Sequence, residues 1–191
     1  MDDKKQIKKI VIIGPESTGK STLCAELAAH YQTAWVREYA REYLEKNGTD
    51  YGFEDLYKIA EGQLDAEDHR PPTTDHRSAP ETEGSPNPQL LFIDTNLYVI
   101  KVWSEYVFNK IDNRILTGIA KRKYDLYLLC DVDLPWVKDE LREYPDLHTR
   151  KKLFHYYKEE MAEQNIPWVI ISGNYDERLK KSIKAVDHFI S

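Results

Sequence analysis

The run Gly14-Pro15-Glu16-Ser17-Thr18-Gly19-Lys20-Ser21 constrains this chain more than any other feature. It fits G-x-x-x-x-G-K-[ST] and stands between an apolar strand pattern, KKIVII, and a helix pattern, STLCAELAAHY. Glycines let a backbone wrap closely around phosphate oxygens, so that successive amide N–H groups and the positive end of the next helix face the anion. The pattern predicts phosphate contacts from Gly14, Glu16, Ser17, Thr18, Gly19, Lys20, Ser21 and Thr22. Lys20 has the reach for β- and γ-phosphates, and the Ser21 hydroxyl is placed to ligate Mg²⁺.

Short apolar runs at Ile7–Ile13, Thr33–Val36, Leu90–Ile93, Leu126–Leu129 and Trp168–Ile171 read as strands, several of them apolar on both faces as parallel strands between helices are. Helix patterns alternate with them at Lys20–Tyr31, Glu38–Lys46, Glu54–Glu67, Leu97–Phe108, Asn113–Arg122, Trp136–Arg142, Thr149–Gln164 and Asp176–Phe189. This order predicts an α/β, three-layer P-loop NTPase/kinase fold with a five-stranded, mainly parallel sheet and a helical lid. The length of 191 residues suits one domain over 1–191.

Residues 68–89 hold five of the nine prolines and no large apolar side chain, which predicts a mobile loop. His69 and His76 lie within it and are not expected to hold a metal, because a flexible loop fixes ligand geometry poorly. A net charge of −6 argues against general nucleic-acid binding. The apolar runs are too short to span a membrane, and the charged start MDDKKQIKK lacks the apolar core of a secretory signal. Cys24 and Cys130 are far apart and among apolar neighbours, so they read as buried thiols of a cytoplasmic protein. Nothing in the sequence fixes an oligomeric state.

Asp94 ends the run LLFID, which puts a carboxylate at the carboxyl end of a parallel strand, where ligands of such sheets bind. There it can hold Mg²⁺ through water, accept a proton from an attacking hydroxyl, or cap the next helix. After the second strand, Glu38, Arg41 and Glu42 recur at three- and four-residue spacing on a helix opening toward the same crevice. Further on, Trp136-Val-Lys-Asp139-Glu-Leu-Arg142 precedes Tyr144-Pro145 and Arg150, a pattern of two helices with arginines on either side. That pattern is similar to the lid of small-molecule kinases, where arginines neutralise charge on a transferring phosphoryl group. Trp35, Trp103 and Trp136 are the tryptophans best placed to stack on a planar ring. No N-K-x-D guanine-reading motif follows any strand, so similarity to P-loop proteins in general favours ATP over GTP.

In order, the segments GPESTGKSTL, REYAREYLEKNG, YGFEDLYKIAEGQ, LLFIDTNLYVIKVWSEYVF, YDLYLLCDVDLPWVKDELR and PWVIISGNYDERL resemble the ribosylnicotinamide kinase domain of the NadR family. The resemblance covers nearly the whole chain apart from the Pro-rich stretch. It implies transfer of phosphate from ATP, with Mg²⁺, to the 5′-hydroxyl of nicotinamide riboside, giving nicotinamide mononucleotide in NAD salvage. It puts catalysis on Lys20, Asp94, Arg142 and Glu38, and metal binding on Ser21 and Asp94. Substrate contacts are implied at Glu38, Arg41, Asn96, Trp136 and Asp139. The family typically reads D-T-D where this chain has Asp94-Thr95-Asn96, so one carboxylate is replaced by an amide. Full NadR proteins carry a helix-turn-helix and an adenylyltransferase domain first. The phosphate-loop strand begins within ten residues of Met1 here, so neither activity is expected. The alternatives are a P-loop kinase for another nucleoside or nucleotide, and an ATP-binding regulatory module without catalysis.

Overall fold

The computed structural model describes residues 7–69 and 90–191. Its strands are β1 (Lys8–Ile13), β2 (Trp35–Val36), β3 (Leu90–Asp94), β4 (Leu126–Cys130) and β5 (Trp168–Ile171). Its helices are α1 (Lys20–His30), α2 (Tyr39–Asn47), α3 (Phe53–Asp68), α4 (Leu97–Phe108), α5 (Asn113–Lys121), α6 (Leu147–Glu163) and α7 (Tyr175–Ile190). The strands form a single parallel sheet in the order β2-β3-β1-β4-β5. Strand β1 therefore lies at the centre, and the chain leaves it toward β2 on one side and later fills β4 and β5 on the other. Ligands of open parallel sheets bind at such a reversal, outside the carboxyl ends of the strands.

Side-chain alternation explains the layers. Ile10 and Ile12 of β1 pack with Leu23, Cys24 and Leu27 of α1 and Val186 of α7. Val11 and Ile13 point the other way and pack with Val102 of α4 and Leu153, Tyr157 and Met161 of α6. A strand buried on both faces is thus apolar at every position, as the run IVII requires. Helices α2 to α5 add a third cluster around Leu56, Ile59, Leu97 and Ile115. Strand β5 is an edge strand, which leaves Val169 and Ile170 more than a third exposed. Both cysteines are buried and free.

Two expectations change. Trp136–Arg142 is an irregular segment with a turn at Glu140–Leu141, not a helix, so of the two helices expected for a lid only α6 forms, after the irregular residues 131–146. Side chains take up several of its backbone groups in place of a helical ladder. The Ser17 hydroxyl accepts from Val137 N–H, Asp139 Oδ1 accepts from Leu141 N–H, and Arg142 donates to the Val137 carbonyl. Asp139 in particular offers the backbone a local acceptor that competes with helix formation. Second, α3 continues through Asp68, whose carboxylate pairs with Arg122. His69 follows as the C-cap of α3, and residues 70–89 of the Pro-rich stretch, with His76, lie outside the described residues.

Candidate active site

The phosphate loop needs backbone angles that few residues adopt. Gly14 has φ 140°, and a Cβ there would lie 2.7 Å from the Cys130 carbonyl oxygen, so the close approach to β4 requires glycine. Gly19, with φ 76°, caps α1 in the left-handed region. Ser17 also has positive φ, 55°. Alternation of this kind turns successive N–H groups into one concavity. No acidic residue sits in the first turn of α1, which leaves its positive end open to an anion. Thr18 Oγ1 and Lys20 Nζ both donate to the Pro15 carbonyl, at 2.7 and 2.9 Å.

Two carboxylates stand beside the loop. The register places Asp94 opposite Ile12 of β1, two residues before Gly14. Asp94 is 1% exposed. Its burial, and secondarily the nearby Glu38, hold its carboxyl well above the ordinary range, while Lys20 and a hydrogen bond from Ser21 pull the other way. The Thr95 hydroxyl lies 3.5 Å from an oxygen of Glu38 and 3.5 Å from an oxygen of Asp94. Thr95 holds φ 71°, which is strained for a β-branched residue. Glu38 is the N-cap of α2 with extended backbone, so it lies outside the helical face that its spacing implied, and Glu42 is exposed.

A cavity of about 370 Å³ opens from the loop. Gly14 through Thr22, Glu38, Arg41 and Arg142 line it. Aromatic side chains line it as well: Trp103, Tyr106, Tyr144 and Tyr157. Asp94 does not line the cavity itself but is hydrogen-bonded to Ser21 of the phosphate loop, which does.

Three expected substrate contacts are placed elsewhere. Asn96 is fully buried as the N-cap of α4, accepting from Tyr98 N–H and donating to the Tyr127 hydroxyl at 3.1 Å each. Fully buried and outside the cavity lining, this amide is out of a ligand's reach, and the expected contact is not carried further. Asp139 does not line the cavity but binds Arg41, which does. Trp136 does not line the cavity either, and has the guanidinium carbons of Arg142 and Arg150 at 6.0 and 5.6 Å from its ring centre. Glu16 contributes its backbone to the loop, but its carboxylate turns away and accepts from Glu143 and Tyr144 N–H at 3.0 and 3.2 Å. A carboxylate facing a phosphate would repel it. Burial pushes Glu16 above its ordinary value, and those two N–H groups partly offset that.

Sequence reasoning passed over Arg178, Tyr106, Tyr144 and Tyr157. Arg178 is 1% exposed and donates to Thr18 O, Asp131 O and Gly173 O while pairing with Asp133. It shares a buried stripe with Ser182 and Val186, and a charged residue at a core position of a helix is a signal that could have found it. Arg150, in line with Leu153, Tyr157 and Met161, gives the same signal. The tyrosines carry none, because 13 tyrosines are spread through the chain and most pack in the core.

The AAA domain family matches the chain over residues 9–178. The sequence is 26% identical over 185 residues to the Trifunctional NAD biosynthesis/regulator protein NadR of Escherichia coli (strain K12), covering 94% of this chain and 42% of that protein. The NadR of Salmonella typhimurium gives the same identity and coverage. The chain thus spans less than half the length of these curated relatives. A crystal structure of NadR protein in complex with NR aligns with a TM-score of 0.76 at 24% identity, covering 96% of this chain and 49% of that one. Thymidylate kinase from Ehrlichia chaffeensis aligns with a TM-score of 0.63 at 13% identity, over 95% of this chain and 99% of that one. At such identities the structural likenesses establish a shared fold. Since the family match runs from the first strand into the last helix, the chain belongs to the AAA domain family.

Proposed function

We propose that this chain transfers the γ-phosphoryl group of ATP to the 5′-hydroxyl of nicotinamide riboside. The observation that carries this reading is the make-up of the cavity, which combines a phosphate loop with Glu38, Trp103, Tyr106, Tyr144 and Tyr157 in one lining. A planar ring bearing positive charge is stabilised over aromatic faces and beside carboxylates. An acceptor that already carried a phosphate would call for unengaged arginines, and Arg41 on this side is paired with Asp139 at 2.7 Å. The likeness to NadR over 94% of the chain supports the same acceptor.

In this mechanism the loop amides and Lys20 bind the triphosphate, with Lys20 Nζ exchanging the Pro15 carbonyl for phosphate oxygens. Ser21 and Asp94 present a hydroxyl and a carboxylate hydrogen-bonded to each other, a hard-oxygen pair that fits Mg²⁺, with phosphates and water to complete its shell. The ion, when bound, supplies charge neutralisation on the phosphates. The two carboxylates divide the remaining work by position. Asp94 stays on the phosphate side, while Glu38 in the cavity wall orients the riboside hydroxyl and takes its proton. Arg142, also in the wall, faces the transferring phosphoryl group. Little covalent chemistry is asked of the protein, because phosphoryl transfer depends mostly on positioning and charge.

ADP release from Mg-ATP, measured with nicotinamide riboside, cytidine, uridine, thymidine and nicotinamide mononucleotide in parallel, tests this. Turnover confined to the riboside and lost in Lys20→Ala is the expected result. Turnover on another acceptor would replace the substrate while keeping the chemistry. ATP binding without any acceptor-dependent ADP release would mark a regulatory module instead.

A further inference from the structure

Two buried guanidinium groups hold consecutive peptides of the phosphate loop from outside the cavity. Arg150 of α6 is 3% exposed and donates from Nη2 to the Ser17 carbonyl at 3.0 Å. Arg178 of α7 is 1% exposed and donates from Nη1 to the Thr18 carbonyl at 3.1 Å. Neither lines the cavity. The remaining donors anchor these arginines elsewhere: Arg150 to the Leu134 carbonyl at 3.4 Å, and Arg178 to the Gly173 and Asp131 carbonyls at 2.7 and 2.9 Å and to the Asp133 carboxylate.

In a planar trans peptide the C=O and the following N–H point in opposite directions. A guanidinium that fixes the Ser17 carbonyl therefore fixes the Thr18 N–H, and one that fixes the Thr18 carbonyl fixes the Gly19 N–H. Both amides belong to the loop that cradles phosphate. The loop does not hold this geometry by local preference alone, since Ser17 has φ 55°, a region that non-glycine residues seldom enter. Burying two guanidinium groups also costs desolvation, and burial lowers the proton affinity of Arg150. The Arg150 Nε is buried without a hydrogen-bond partner. A group kept at that cost is not explained by packing alone.

We infer that Arg150 and Arg178 are positioning residues that preset the Thr18 and Gly19 amides for the β-phosphate of the nucleotide, without touching it. This rests on the reading of the loop as a nucleotide phosphate site, but not on the identity of the acceptor. The effect is thus specific to the phosphates beyond the first. It predicts that the loss appears in the affinity gap between ADP and AMP.

The test uses the full chain without acceptor. AMP and ADP binding are measured by calorimetry for the unaltered protein and for Arg150→Met, Arg150→Lys, Arg178→Met and Arg178→Lys. In the unaltered protein, ADP is expected to shift and protect the Thr18 and Gly19 amides in NMR spectra. In the Met variants ADP affinity is expected to fall roughly ten- to hundredfold while AMP affinity is unchanged, with the amide protection lost. The Lys variants fall between, because one ammonium replaces a fork of donors. Should Arg178→Met not fold, Arg178→Lys and the Arg150 pair decide the matter. Equal weakening of AMP and ADP would overturn the proposal and indicate general loosening of the fold. Unchanged ADP binding in folded variants would overturn it outright. Failure of the unaltered protein to bind ADP would remove the nucleotide reading beneath it and the proposal together, whereas inactivity toward the riboside alone would leave it standing.

Discussion

Arg41 Nη2 and Asp139 Oδ2 lie 2.7 Å apart and join α2 to the irregular segment that follows β4. The two residues are 98 positions apart in the chain, and each was expected to contact substrate. Paired, they tie the lid segment to the rim of the cavity. The Arg41 side chain is 45% exposed, so solvent screens the pair. A double-mutant cycle with Arg41→Ala and Asp139→Asn should give a coupling of about 0.2–1 kcal/mol in chemical denaturation, shrinking as salt is raised. A coupling that persists at high salt would show that the pair is shielded within a tighter closure.

Lys20→Ala should leave thermal stability nearly unchanged, since in this structure Nζ makes a single hydrogen bond to Pro15 O. It should lower kcat by roughly 10²–10³, the range seen when one electrostatic donor to a developing charge is lost. Steady-state kinetics alongside a melting curve separate these outcomes.

Asp94→Asn is expected to abolish phosphoryl transfer and yet stabilise the ligand-free fold at neutral and alkaline pH. Burial and Glu38 raise the folded-state pKa of Asp94 above its unfolded value. The folded state therefore binds the proton more tightly, and stability is lost as pH rises from the unfolded value of about 4 through the folded one. The neutral amide does not suffer this loss. Melting curves of both proteins across pH should converge in acid and separate in favour of the Asn variant above it. Equal pH dependence would mean that Asp94 is not held in the protonated direction.

Gly14→Ala should be destabilising by more than the ~1 kcal/mol that glycine replacement commonly changes. Its Cβ would meet the Cys130 carbonyl oxygen at 2.7 Å, and φ 140° is closed to alanine. Denaturant unfolding measures the loss, which should be accompanied by weaker ATP binding because the same backbone lines the cavity.

Glu16→Ala frees the Glu143 and Tyr144 N–H groups that its carboxylate now accepts. Those two residues form part of the cavity wall. On the proposed mechanism, the KM for nicotinamide riboside should rise more than that for ATP, since the loop amides and Lys20, not the Glu16 carboxylate, would meet the triphosphate. A larger effect on ATP would place the Glu16 carboxylate in the nucleotide site after all.

Much of this protein was written in local pattern. The phosphate loop, the five strands and seven of the eight expected helices follow from apolar period, glycine placement and flanking order, which operate over a few residues. The exception, Trp136–Arg142, has a helix-like composition, but Ser17 and Asp139 offer its N–H groups other acceptors. Ser17 lies 120 residues away from Val137, so no window of sequence contains that competition.

The sequence by itself determined that a parallel sheet would carry a phosphate loop, with Asp94 at the end of a neighbouring strand. The tertiary structure alone decided which charged groups face the cavity and which face one another. It turned Glu16 and Asp139 toward the lid and Arg41, buried Asn96 as a helix cap, and brought Arg150 and Arg178 against the back of the loop. The reason is physical. Backbone conformation answers to neighbours in the chain, whereas the partner of a long charged side chain is set by the path of the chain through space.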